Sequence, residues 1–290
     1  MRRIALFLLS TVYCLLAGAQ AEPLDGYYTT TTTNSSDEFA IQRYPWQERD
    51  NSNKQPLEYQ YQREADVMWS KNIWRVIDIR EKMNLPFAYP PRPLIQILHE
   101  SAKKGDITVY DPSVEYADQF KQVMSTTDVA KIGERIDTVY NINPVTFEEE
   151  MVVMKTEMTW EKITKYRVKE VWFFDTRTSS MQVRIIGLAP VMEYYDAAGN
   201  YLGDMTMYWI PYEELRTMLA KETVYNPQND WQQFSWDDLF QMRRFESYIY
   251  KESNVYDRNI NEYTAGIDAQ VESERIKQEL MEKEHDMWEY

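Results

Sequence analysis

Two histidines, one cysteine and 47 acidic side chains are this chain's stock for chemistry. No spacing among them sets up a reaction. A Ser-His-Asp site would have to use His99 or His285. His99 falls among Leu94, Ile95, Ile97 and Leu98 at helical spacing, and His285 lies in an acidic run, so both read as structural or solvated. H-E-x-x-H, a Walker loop and G-x-G-x-x-G are all absent from a sequence with only eight glycines. The nearest approach to a calcium loop, Asp196-Ala197-Ala198-Gly199-Asn200, lacks alternating oxygen ligands and a distal Glu and reads as a β-turn. With so many acids some carboxylate pair is inevitable, but no spacing marks one for glycoside hydrolysis. These residues imply a non-enzymatic protein with no cofactor and no metal, one that works through its surfaces.

The remaining reactive residue, Cys14, belongs to a leader. Arg2 and Arg3, the apolar stretch Ile4–Gly18 and Ala19-Gln20-Ala21 form a secretory signal peptide over residues 1–21. The stretch is too short for ~30 Å of hydrocarbon, so direct membrane insertion is not expected. Tyr13 before Cys14 argues against lipidation, which needs a small residue there. Cleavage after Ala21 predicts a thiol-free chain beginning at Glu22 and stabilised by an ordinary core. The formal charge of −15 becomes more negative when Arg2 and Arg3 are lost. Nucleic acid and anionic membranes are thereby disfavoured, since phosphate binding needs a concentrated basic surface. Acidity either steers basic protein partners or serves solubility alone.

Residues 22–62 carry Thr29–Thr33, Asn34-Ser35-Ser36, Pro45 and Pro56 without useful periodicity, and read as an extended arm. Trp46, Tyr59 and Tyr61 are among its aromatics. They need a surface, either the arm's own domain or a partner. From Arg63 to Met83 a helix is expected, with Met68, Trp69, Ile73, Val76, Ile77, Ile79 and Met83 on one arc. Val67 and Trp74 then point into the charged arc and require cover, from the same domain or from a partner. Pro86, Pro90 and Pro91 stop this helix, and Pro93 with Gly105 brackets a second one, followed by a strand over Ile107–Tyr110.

The middle of the chain reads as β. VKEVWFFD (Val168–Asp175), MQVRIIGL (Met181–Leu188), VMEYYD after Pro190 and YLGDMTMYWI from Tyr201 predict an antiparallel meander of about four strands. Period-two alternation turns Val183 and Ile185 to the core and Arg184 away from it. Tyr212–Ala220 and Trp236–Tyr248 are expected as helices covering one face, which gives an α+β domain over 63–250. Residues 251–290 form an acidic tail with a thin stripe of Ala269, Ile276, Leu280 and Met287. Such a seam is marginal alone, so the tail either becomes helical on docking or stays solvated or disordered.

The runs READVMWSKNIWRVIDIREKMN from Arg63, VWFFDTRTSSMQVRIIGLAP (Val171–Pro190) and MYWIPYEELR (Met207–Arg216) resemble the GldN/PorN family of Bacteroidota gliding and type IX secretion proteins. The likeness spans about Tyr59–Tyr250. It implies a periplasmic structural protein, associated with the inner face of the outer membrane through a GldK/PorK-like lipoprotein. It also implies self-association in a large ring, contact with a GldM/PorM-like motor protein, and no catalytic residues to carry over. Arg184 lies within this likeness and joins Trp46, Tyr59, Tyr61, Val67 and Trp74 as a partner-binding candidate. A periplasmic or secreted glycan-binding module is the competing class, suggested by 22 Tyr and 9 Trp whose faces could stack on sugars.

Overall fold

The computed structural model describes residues 51 and 53–288, apart from breaks at 114–116, 133–134, 143–148, 157–159, 196–199, 230–231 and 233. Over 135–156 and at Glu161 and Trp288 it describes the backbone alone. The leader, Trp46, most of the arm and most of the Asp196–Asn200 turn lie outside the described residues. Asp50–Tyr290 pack as one unit, so the last residues of the arm belong with the domain.

An antiparallel sheet organises that unit. It contains β1 (Val67–Asp78), β4 (Ile163–Asp175), β5 (Ser180–Tyr195), β6 (Tyr201–Thr206), β7 (Ile210–Pro211) and β10 (Tyr248–Glu252). Strand order is β10-β1-β4-β5-β6, with β7 also paired to β5. Two small ribbons stand apart from it: β2 (Arg135–Ile142) with β3 (Glu149–Thr156), and β8 (Thr223–Val224) with β9 (Phe234–Ser235). The helices are α1 (Leu94–Lys104), α2 (Thr126–Lys131), α3 (Tyr212–Leu219), α4 (Trp236–Gln241), α5 (Ile260–Tyr263) and α6 (Ile267–Trp288). The architecture is α+β, as the middle of the sequence predicts.

The helix expected from Arg63 is instead a short 3-10 turn followed by the interior strand β1. Val67, Ile73, Val76 and Ile77 are β-branched and suit a pleated surface. Between β10 and β4 both faces of β1 are covered, so Ile73–Ile77 are buried without interruption. An unbroken apolar run also fills a broad helical arc, which is why periodicity misleads here. Pro190 likewise does not separate two strands, because β5 runs through it. Its carbonyl accepts from Met207 N, so its missing N–H faces that same side, just past the end of β6, and the pairing with β4 is untouched. Ile107–Tyr110 is not a strand; Tyr110 alone bridges Val123 and Trp209. The helix from Trp236 ends at Gln241, Arg243 turns left-handed at φ 51°, and Tyr248 begins β10.

Helices α1, α3 and α4 close over one apolar cluster. At its centre Phe87 packs edge-on to Trp236 at 5.1 Å and to Phe240 at 5.8 Å, and tilted against Tyr166 at 5.6 Å. The acidic segment is helix α6, seated on its own sheet: Ile276 and Leu280 are buried with Ile73, Ile249 and Ile260. Its Ser273 hydroxyl accepts from Ile249 N on the outer side of β10. Ile73 and Ile77 share one face of β1 by strand parity, so the two clusters lie on the same side of the sheet.

Between them sits Glu170, fully buried. Arg243 grips both its oxygens at 2.9 and 3.1 Å, and the Trp172 indole donates to it at 3.1 Å. Arg75 Nε stands 3.3 Å away. Burial lowers the Arg75 pKa and Glu170 opposes that shift.

Two outcomes are expected. Ile185 belongs to the main cluster while Arg184 is only half-buried. Ile185→Asp should therefore cost on the order of 3–5 kcal/mol in urea denaturation, against little for Arg184→Ala; equal losses in both would show that the facing is wrong. His99 is buried between Trp160 and Tyr208. Burial first, and Lys103 second, push its pKa from 6.5 down to about 4. The unfolded chain then takes up the proton first, so His99's share of stability is whole above pH 6.5 and falls as pH drops towards 4. The thermal midpoint of His99→Phe should fall less than that of the parent between pH 7 and 4.5.

Candidate functional site

The described end of the arm is held by side chains from three elements. Lys54 Nζ meets Asp238 at 2.5 Å and Ser235 Oγ at 3.2 Å, at the start of α4. Ser235 and Asp238 already form a capping box there, so the ammonium lands on a carboxylate held in place by the helix start. Burial raises the Asp238 pKa, but the bonds from Lys54 and Ser235 outweigh it and leave a net lowering.

Tyr59 lies over two guanidiniums, with Arg216 4.0 Å and Arg184 5.0 Å from its ring centre. Its hydroxyl accepts from Gln241 Nε2 at 2.7 Å. Arg216 is itself buried and paired with Asp237 at 3.1 Å, and Asp237 also accepts from the Tyr212 hydroxyl at 3.0 Å. The second nitrogen of Arg216 donates to the Leu57 carbonyl. Farther along, Arg184 Nη2 reaches the Gln60 carbonyl at 2.6 Å and Arg177 the Tyr61 carbonyl at 3.4 Å. Among the described residues no strand pairs with the outer side of the first half of β5, since β7 and β6 pair only from Gly187 onward. To this half the arm is tied.

The structure thus unites Tyr59, Tyr61 and Arg184. Tyr61 is bound through its carbonyl and leaves its ring exposed. Val67 opens β1 opposite Asp175, beside the β4–β5 turn, and is half-buried. Trp74 stands apart, on the sheet face opposite Ile73 and Ile77. Its own domain covers it: Ala189 and Trp209 pack against it, and its indole donates to Asp118 at 3.1 Å.

Trp74 forms one wall of a polar cleft of about 360 Å³ with Asp118, Arg167, Tyr250, Lys251 and Asp257. Lys169 and Lys251 place their ammoniums 5.4 and 4.7 Å from the Trp74 ring, and each pairs with an aspartate, Asp118 and Asp257. Arg167 donates to Thr206 Oγ1 at 2.7 Å and lies over Tyr250. The alternation of Lys165, Arg167 and Lys169 along β4 was a readable sign of this basic face. Nothing local marked Arg216 and Asp237, which meet only when α3 and α4 pack together.

Because Asp237 would be left as a buried unpaired charge, Arg216→Ala should cost about 3–5 kcal/mol of global stability in urea denaturation. Tyr59→Ala should remove only about 1–2 kcal/mol of cation–π attraction and act locally. Trypsin cleavage after Lys54 should accelerate in Tyr59→Ala under conditions where the rest of the domain stays intact.

Among the described residues no helix is long and apolar enough to cross a membrane, and no group of three or more His, Cys, Asp or Glu could hold a metal ion. No curated protein matches the chain. The model of a family described as gliding motility associated protein GldN matches residues 62–289. That span begins just before the 3-10 turn that precedes β1 and takes in the acidic C-terminal helix α6, leaving out all but the last residue of the arm. The chain belongs to the GldN family of gliding motility associated proteins.

Proposed function

We propose that this chain is an exported structural component of the type IX secretion and gliding machinery. In this reading it resides in the periplasm, forms a ring-like complex with an outer-membrane lipoprotein of the GldK/PorK kind, and touches the periplasmic part of a GldM/PorM-like motor protein. The family match over 62–289 carries the reading. The arm seat supports it, because ordered residues 53–61 give the aromatic-containing stretch before them a fixed point of departure. Every described tryptophan side chain is buried or half-buried, so among the described residues no exposed indole platform favours the glycan-binding alternative.

Co-expression with the lipoprotein, followed by size-exclusion chromatography with light scattering, tests the proposal. The pair should form a large assembly, and Trp46→Ala should weaken it in part. A chain beginning at Arg63 should still fold, with loss of the Lys54 and Tyr59 contacts, but fail to assemble. If the full chain and the lipoprotein form no complex, the reading is wrong. If the shortened chain assembles as well as the full one, the arm is not an assembly element.

A further inference from the structure

The two edges of the sheet are not alike. At β10 the outer side is closed by α6, where Ser273 caps the Ile249 N–H and Ile276 and Leu280 pack alongside. At β6 nothing among the described residues pairs with the outer side. Open edges are normally blunted by Lys, Pro or a bulge; β6 (Tyr201–Thr206) has neither Lys nor Pro, and its one bulge, at Leu202, leaves Gly203–Thr206 in unbroken register with β5. Its one charge, Asp204, is engaged with Lys165 Nζ and the Tyr201 hydroxyl, both at 2.7 Å. Leu202 is 65% exposed and Met205 44%, beside exposed Tyr194 and Tyr201.

A second element of the same chain lacks a partner in the complementary way. Strands β2 and β3 are eight residues each, rich in β-branched residues, and among the described residues pair only with each other. A two-stranded ribbon is marginal in water, and a third strand stabilises it. Within one chain the ribbon does not pair with β6.

We infer that the β2–β3 ribbon of one copy adds to the β6 edge of the next, continuing the sheet from subunit to subunit. The contact joins two different surfaces, so it is head-to-tail; repeated, it closes into a ring or runs on as a filament. A second copy is the occupant because both unfilled halves of the ladder are on this chain. The inference rests on reading the protein as a component that assembles with itself, but it requires neither the lipoprotein nor the motor protein.

The test uses full-length protein in a Cys14→Ser background, which removes the only cysteine. One preparation carries Leu202→Cys, a second Thr138→Cys and a third Val153→Cys, the last two being cross-strand neighbours in the ribbon. A short bismaleimide bridges the two sites in more than one strand register. Mixing the Leu202→Cys protein with either ribbon variant should give a covalent dimer, at least tenfold more than the Leu202→Cys protein gives with itself. Leu202→Lys with Met205→Lys should lower the mass of the self-associated protein in light scattering and leave its thermal midpoint unchanged. Cross-linking of Leu202→Cys only to itself would mean a two-fold edge pairing and overturn the inference. So would the absence of any mixed product, or capture of the edge by the lipoprotein alone. If the mixed product is absent while lipoprotein association persists, this inference fails and the proposed function stands.

Discussion

A carboxylate with no contact with water, in the middle of a sheet, constrains the rest of this fold. Taking an ion such as Glu170 out of solvent costs several kcal/mol even after the protein relaxes, and good geometry must offset it. Here that geometry comes from Arg243 in the left-handed turn after α4, from Arg75 on β1 and from the Trp172 indole. The site works only with Ile73 opposite Glu170. A slip of one residue in β1 would turn its apolar set to the wrong face and carry Arg75 away from the carboxylate. One charge therefore fixes the register of the central pair of strands, the path from α4 into β10, and the boundary between the two apolar clusters.

The arm seat depends on that frame at one remove. Arg216 and Asp237 are brought together by α3 and α4, and those helices are placed by the cluster around Phe87 and Trp236. Tyr59 then rests on guanidiniums whose positions are already determined, so little side-chain freedom is lost when the arm settles. The same economy operates at Lys54, which meets a carboxylate already committed to a capping box.

Elements with strong local signals were legible in the sequence. Pro93 and Gly105 bracket α1, with Gly105 at φ 79°, and the strands around Val171–Leu188 follow from their β-branched and aromatic content. Strand β1 was not legible as a strand, because burial on both faces of Ile73–Ile77 erases the alternation that distinguishes it from a helix. The C-terminal helix was read as marginal because its apolar stripe is thin. Two residues, Ile276 and Leu280, suffice once the sheet supplies the other half of the contact. For the candidate site, Tyr59 and Arg184 were visible as an aromatic needing a surface and a cation turned from the core. Arg216, Asp237 and Asp118 were not, since their partners are distant in the chain. Trp74 is expected to need cover as a residue of a helix's charged arc; it needs cover as part of a strand, and Ala189, Trp209 and Asp118 supply it from distant parts of the chain.

The arm leads through one 3-10 turn into β1, and β1 is hydrogen-bonded on both flanks, to β10 and to β4. Tension applied upstream of Lys54 would first meet the contacts at Lys54, Tyr59 and Gln60, each of which can yield by itself without disturbing the sheet. What remains would enter the domain along the axis of β1 and be shared in shear among the many ladder bonds it makes with β4. In mechanical terms the protein has a compliant lead joined to a stiff spar.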